Sequence, residues 1–183
     1  MTRLAPKTEE ELDAATRAHI RGLIGHGPAI PNLWLLIANA PGLLKAWTDF
    51  SWPLRKSPHL APGLCELMIM RTAQLSHAEY SWAHHWGVAI AAGVGEQKLS
   101  ALSTWRESNL YSDREQAALS LADELVQTGR VAGATFEAVR KTFNEAALTQ
   151  LVMIIAFYVC VARFTSALEL DLEPQYVGKP PLA

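Results

Sequence analysis

Cysteine is scarce: the chain holds only Cys65 and Cys160. They lie far apart and form no C-x-x-C pair, which excludes the dithiol and cysteine–zinc motifs. Each sits in an apolar helical context, so they read as two buried thiols suited to a reducing cytoplasm rather than as a disulfide framework. An excess of one charge is lacking too. Lys and Arg number 16 against 18 Asp and Glu, giving a net charge of −2 and a pI near 6.3. There is no basic footprint for nucleic acid and no polybasic run for a lipid surface. The opening MTRLAPKTEEELDAA has no apolar stretch of the kind a secretory signal needs. The longest apolar run, Leu151 to Ala162, is twelve residues, short of the roughly 18–20 that span a bilayer; a membrane is not an expected partner. No alternating run of β-branched residues marks a strand. Repeats and low-complexity segments are absent as well.

What remains is helical. The 183 residues, half of them hydrophobic, suit one domain with a sizeable core. Residues 1–10 read as a mobile tail and 10–24 as a helix. Gly25 to Pro31 is a loop, with two glycines and two prolines. Short helices follow over Asn32–Ala40, stopped by Pro41, and Gly42–Trp52, ended by Pro53. Arg55–Pro62 reads as a second loop. Helices are then predicted over 63–75 and 78–92, with a break at Ser76–His77 and a stop at Gly93. A short one follows over 95–104. Ser112-Asp113-Arg114-Glu115 is a capping box opening a helix to about Thr128. Thr135 is expected to cap the next, and Asn144 the last and longest, from Glu145 to about Leu170. The residues after Glu173 carry three prolines and read as irregular. The chain is all-α, with about eight helices. The last is apolar on all sides, as a central or subunit-sandwiched helix would be, which favours an oligomer.

The chemistry concentrates in Glu66–Gly93, ELMIMRTAQLSHAEYSWAHHWGVAIAAG. Residues four apart share a helix face, so Ser81 neighbours His85, Tyr80 neighbours His84, and His77 neighbours Ser81. His84 and His85 diverge by about 100° and address different partners. Glu66 meets His85 only if the chain turns back near Ser76–His77. Trp82 and Trp86 share one face, as a pocket wall or as core. No H-x-x-x-H or H-E-x-x-H spacing selects a metal, and neither metal nor cofactor is expected.

This segment resembles the carboxymuconolactone decarboxylase family, which includes the alkylhydroperoxidase D-like proteins. The family's Glu falls at Glu66, its two cysteines at Ala78 and Ser81, and its His at His85; A-x-x-A-G reads Ala89-Ile90-Ala91-Ala92-Gly93. The Tyr-Glu-Trp-x-x-His variant reads here as Tyr80-Ser81-Trp82-Ala83-His84-His85. Tyr158 and Arg163 also look familiar. The likeness covers most of 40–170, with 1–10 and 174–183 as tails. It implies an all-α, single-domain alkylhydroperoxidase D-like fold in homo-oligomers, trimers or hexamers.

The departure is the missing dithiol. Serine cannot cycle through sulfenate and disulfide, so thiol peroxidase turnover is not expected despite the family's peroxiredoxin association. The resemblance implies instead a cofactor-free cytoplasmic lyase moving a proton on a small organic acid or lactone. His85 is the candidate acid or base, poised near neutrality, with Glu66 supporting it. Ser81 is a weaker catalytic candidate. Tyr80, Trp82, His84, His77 and Arg71 are candidate substrate contacts, and Arg71 or Arg163 could anchor an anion. The rival readings are an alkylhydroperoxidase-like redox protein and a non-catalytic binding or structural oligomer.

Overall fold

A computed structural model describes residues 2–40, 42–56, 58–178 and 180–182. Pro41, expected to stop the second helix, lies outside the described residues. Among those residues all regular structure is helical, with no strand. Nine helices follow one another: α1 Ala14–Ile24, α2 Asn32–Ile37, α3 Leu43–Lys56, α4 Pro62–Leu75, α5 Glu79–Ala91, α6 Glu96–Ser100, α7 Asp113–Thr128, α8 Gly133–Thr142 and α9 Glu145–Ala167. Short 3₁₀ turns cover Leu102–Glu107 and Pro174–Tyr176.

The helix surrounded on all sides is α4, not α9. Every residue from Leu64 to Gln74 is buried, because α4 packs against α5, α7 and α9 at once. Two of its buried residues are charged, and each has a partner on a neighbouring helix. Arg71 Nε donates to Asp123 Oδ1 of α7 at 2.6 Å, and its NH1 donates to Leu102 O at 2.9 Å. Glu66 faces α5. Helix α9 runs 23 residues with a mean hydropathy of 1.9 in its most apolar window, which by length and composition is enough to cross a membrane. The twelve-residue run therefore understated it. It is nevertheless a core helix, with half of that window buried.

The corner between α4 and α5 aligns the site. His77 adopts φ 51°, the left-handed conformation that ends many helices. Ala78 N–H reaches back to Ala73 O at 2.9 Å and His77 N–H to Gln74 O at 3.1 Å, the paired bonds of a Schellman turn. The chain reverses there, so α5 packs along α4. Their far ends meet closely at Gly63, where an added Cβ would sit 3.0 Å from Ala92 O.

Some boundaries moved for identifiable reasons. Pro53 lies inside α3, which continues to Lys56; the residue is exposed, so the helix bond it removes faces water rather than the core. The cap expected from Thr135 is instead Ala132, because Glu124 of α7 accepts from Ala132 N–H at 2.7 Å and from Thr135 Oγ1 at 2.5 Å. Ser112 and Asn144 cap as their patterns require. The N-terminal tail is tied down, since Thr2 bonds Asp171 and Arg3 bonds Glu169 at 2.6 Å. Cys160 is exposed and only Cys65 is buried, which corrects the expectation of two buried thiols.

Candidate active site

The reversal at His77 places Glu66 and His85 opposite each other, about three and two turns from the corner respectively. His85 Nδ1 and Glu66 Oε2 are 2.7 Å apart, with both side chains largely buried. With Glu66 accepting from Nδ1–H, the other nitrogen is left as an acceptor, and Tyr158 OH of α9 approaches His85 Nε2 at 3.2 Å. Glu66, His85 and Tyr158 thus form one hydrogen-bonded chain across α4, α5 and α9. The Arg55 guanidinium at the end of α3 stands 3.9 Å from Glu66 Oε1, beyond hydrogen-bond range.

Burial disfavours the imidazolium and pulls His85 below its usual 6.5, outweighing the Glu66 bond and charge that push it up. The resting side chain at neutral pH is therefore a neutral imidazole, ready to accept a proton, rather than an acid poised near neutrality. Burial raises the Tyr158 phenol above its usual 10.0, although Arg55 opposes this.

His85 and Tyr158 wall a cavity of about 200 Å³ between α2, α3, α5 and α9. Its other walls include Trp34, Trp47, Trp52 and Phe157, with Ser51, Arg55, Ser81 and His84 as polar members. Glu66 lies behind His85 and lines a separate cleft of about 120 Å³ with Trp52, Arg55 and Lys56.

The second histidine has its own carboxylate. His84 Nε2 lies 2.6 Å from Glu173 Oε2, and Glu173 Oε1 accepts from Tyr80 OH at 2.8 Å and Asn32 N–H at 2.6 Å. The His84 ring is stacked between Tyr80 and Tyr176. Burial alone would raise the Glu173 carboxyl, but the His84 and Asn32 bonds prevail and hold it below 4.5. One carboxylate thereby joins the segment after α9 to α5 and to the start of α2, which carries Leu33 and Trp34 into the cavity wall.

Several candidates fall elsewhere. Arg71 is committed to Asp123 and Gln74 in the core and does not line the cavity. Arg163 is exposed and does not line it either. Trp82 packs on Trp86 and donates its indole N–H to Pro180 O, so it belongs to the core. His77 is an exposed corner residue. Ser81 lines the cavity, but its Oγ has no hydrogen-bond partner, and both His85 nitrogens are engaged elsewhere. An activated-serine nucleophile is therefore not assembled. Arg55 and Glu173 escaped the sequence reading: Arg55 was placed in a loop, and Glu173 was passed over as the residue before the irregular tail. Arg55 nonetheless shares a helical face with Trp47 and Ser51, and that spacing could have found it. Nothing local marks Glu173.

Cys65 neighbours Glu66 but stands outside the cavity, with Gln150 Nε2 3.7 Å from its sulfur. Burial, helped by the Glu66 charge, pushes its thiol up to about 11. Among the described residues no group of three or more His, Cys, Asp or Glu could hold a metal ion.

Comparison with known proteins agrees with this architecture. Residues 41–124, which include Glu66 and His85, match the carboxymuconolactone decarboxylase family. The chain is 32% identical over 124 residues to the uncharacterized protein YnjA of Escherichia coli, covering 67% of this chain and 68% of that one. It is also 32% identical over 92 residues to the uncharacterized protein YdfG of Bacillus subtilis, covering 49% of this chain but only 63% of that relative. Among solved structures, the debrominase Bmp8 superposes with a TM-score of 0.83 at 20% identity, covering 96% of this chain and 95% of that one. An uncharacterized peroxidase-related protein from Ralstonia eutropha with an alkylhydroperoxidase core superposes with a TM-score of 0.84 at 18% identity, covering 96% and 94%. At these identities the superpositions establish the shared fold. The chain belongs to the carboxymuconolactone decarboxylase family.

Proposed function

We propose that the protein is a cofactor-free proton-transfer enzyme, of lyase type, acting on a small organic acid or lactone. The observation that carries this is the Glu66–His85 pair, 2.7 Å apart, presenting the other edge of the imidazole to a half-open, largely aromatic cavity. His85 Nε2 is the base. It accepts a proton from an acidic carbon of the substrate, and Glu66 stabilises the imidazolium that forms. The imidazolium then returns the proton to the carbon that carries the electron pair; in a decarboxylation the proton His85 takes is that of the substrate carboxyl group, and it goes to the carbon from which carbon dioxide leaves. Tyr158 holds Nε2 between turnovers and moves aside or bonds the substrate oxygen. His84 and Ser81 shape the wall, while Glu66 and Glu173 act through the histidines they bond.

A thiol route has little support. Cys65 is buried, raised to about 11 and outside the cavity, whereas reactive thiols are accessible and low in pKa. Mass spectrometry after peroxide treatment should find no reversible sulfenate on Cys65. We also place the protein in the cytoplasm, as a homo-oligomer of three or six copies joined through the outward apolar face of α9, where Met153 and Cys160 are exposed.

The test is solvent-deuterium incorporation or carbon dioxide release over a panel of lactone acids. Turnover should drop about 10²–10⁴-fold in His85→Gln, the usual scale of a positioned acid or base. Undiminished turnover in that variant would remove the assignment.

A further inference from the structure

We infer that the cavity is built for a flat, single-ring carboxylic acid, bound as its anion with the ring between aromatic walls and the carboxylate on Arg55. This rests on the proton-transfer reading above and names its substrate class.

The walls carry the argument. Trp34 and Trp52 meet edge to face with centroids 6.2 Å apart, Trp47 and Phe157 are 4.8 Å apart, and Phe157 and Tyr158 are 5.6 Å apart. Tyr158 in turn stands perpendicular to the His85 ring at 5.1 Å. Helices α2, α3, α5 and α9 thus supply a nearly continuous aromatic lining. Aromatic faces and edges reward a planar π-system over a puckered or linear chain of equal carbon number. The volume fixes the size: the cavity is about 200 Å³, and an apolar cavity of about 150 Å³ already holds a benzene ring. One substituted ring therefore fits within the walls.

The charge on the walls fixes the sign. Arg55 is the lining residue that carries a permanent charge, and no carboxylate is among the lining residues. Glu66 and Glu173 both sit behind the histidines they bond. Arg55 is not consumed by Glu66, since 3.9 Å is an ionic approach rather than a hydrogen bond, and its Nε has no partner. A guanidinium with donors to spare is matched by a carboxylate. The Ser81 hydroxyl, almost fully buried and unpartnered on the same wall, marks a second place where a ligand polar atom is still to be supplied. An aromatic box alone would also suit a quaternary ammonium; Arg55 opposes that occupant.

Calorimetric titration of the full chain at pH 7 with benzoate, cyclohexanecarboxylate and phenyltrimethylammonium tests this. Benzoate should bind about tenfold more tightly than cyclohexanecarboxylate, the scale of one or two aromatic contacts, and the ammonium should not compete. Arg55→Gln should weaken benzoate about tenfold or more, with Arg55→Lys recovering part of the loss. His85→Gln should still bind benzoate, so ring binding is read separately from proton transfer. Equal binding of the two acids, competition by the ammonium, or an Arg55→Gln chain that folds and binds benzoate unchanged would overturn the substrate class while leaving the proton-transfer reading in place. Loss of turnover dependence on His85 with benzoate binding intact would do the reverse.

Discussion

At the scale of single residues, the site separates groups that face the substrate space from groups that act through them. His85 does the first and Glu66 the second, because the carboxylate lies behind the imidazole. Replacing Glu66 with Gln keeps a hydrogen-bonding partner for Nδ1–H but removes the countercharge to the imidazolium. Turnover should fall, with the loss in kcat rather than in KM. Ser81 is expected to behave differently from a nucleophile. Its hydroxyl is buried without a partner, and removing such a group relieves a desolvation penalty. Ser81→Ala should therefore leave thermal stability unchanged or raised by up to about 1 kcal/mol, with kcat retained and only KM raised by the lost ligand contact. Complete loss of turnover in a folded Ser81→Ala chain would restore the nucleophile.

At the scale of elements, the corner between α4 and α5 sets the register of Glu66 against His85. His77 occupies a left-handed position there, which costs a non-glycine residue roughly 1 kcal/mol. His77→Gly should stabilise the protein or leave it neutral in thermal melts, and should spare turnover; a large loss of activity would mean the imidazole does more than turn the chain. The opposite is expected of Asp123, which accepts from the buried Arg71 guanidinium at 2.6 Å and also from the Trp105 indole N–H. Asp123→Ala strands that charge between α4 and α7 and should cost about 3–5 kcal/mol in denaturant unfolding. The Glu66–His85 pairing was legible in sequence because the family resemblance singles out both residues and one turn between neighbouring helices suffices to bring them together. His84–Glu173 was not, because 89 residues separate the partners and only tertiary packing joins them. Arg55 was hidden by Pro53, which interrupts helices in general but here lies on the solvent side. Arg71 misled for the converse reason: a charged residue in an apolar stripe suggested a ligand anchor, and a distant carboxylate on α7 had already claimed it.

At the scale of the whole molecule, two buried histidine–carboxylate pairs tie the helices together and make stability depend on pH in one direction. The folded state holds His85 below 6.5, so the unfolded chain binds a proton there first; stability is full above pH 6.5 and declines as pH falls below it. Glu173 is held below 4.5, so its contribution is present above that pH and is lost as pH falls further. Acid should therefore destabilise in two windows. Melting temperatures across pH should show His85→Gln removing the upper window and Glu173→Gln the lower. Assembly is read at the same scale. Light scattering should return a multiple of the chain mass, and Met153→Lys, placing a charge on the exposed face of α9, should shift that mass towards one chain.

The central claim is that Glu66 fixes the tautomer of His85 so that Nε2 faces the cavity as a base. Nitrogen-15 NMR of the imidazole at pH 7 reads this directly. The expected spectrum is a neutral ring with the proton on Nδ1 and an unprotonated Nε2, titrating with a midpoint below 6.5 that drops further in Glu66→Gln. A ring protonated on Nε2 alone, or an imidazolium persisting at pH 7, would contradict the account.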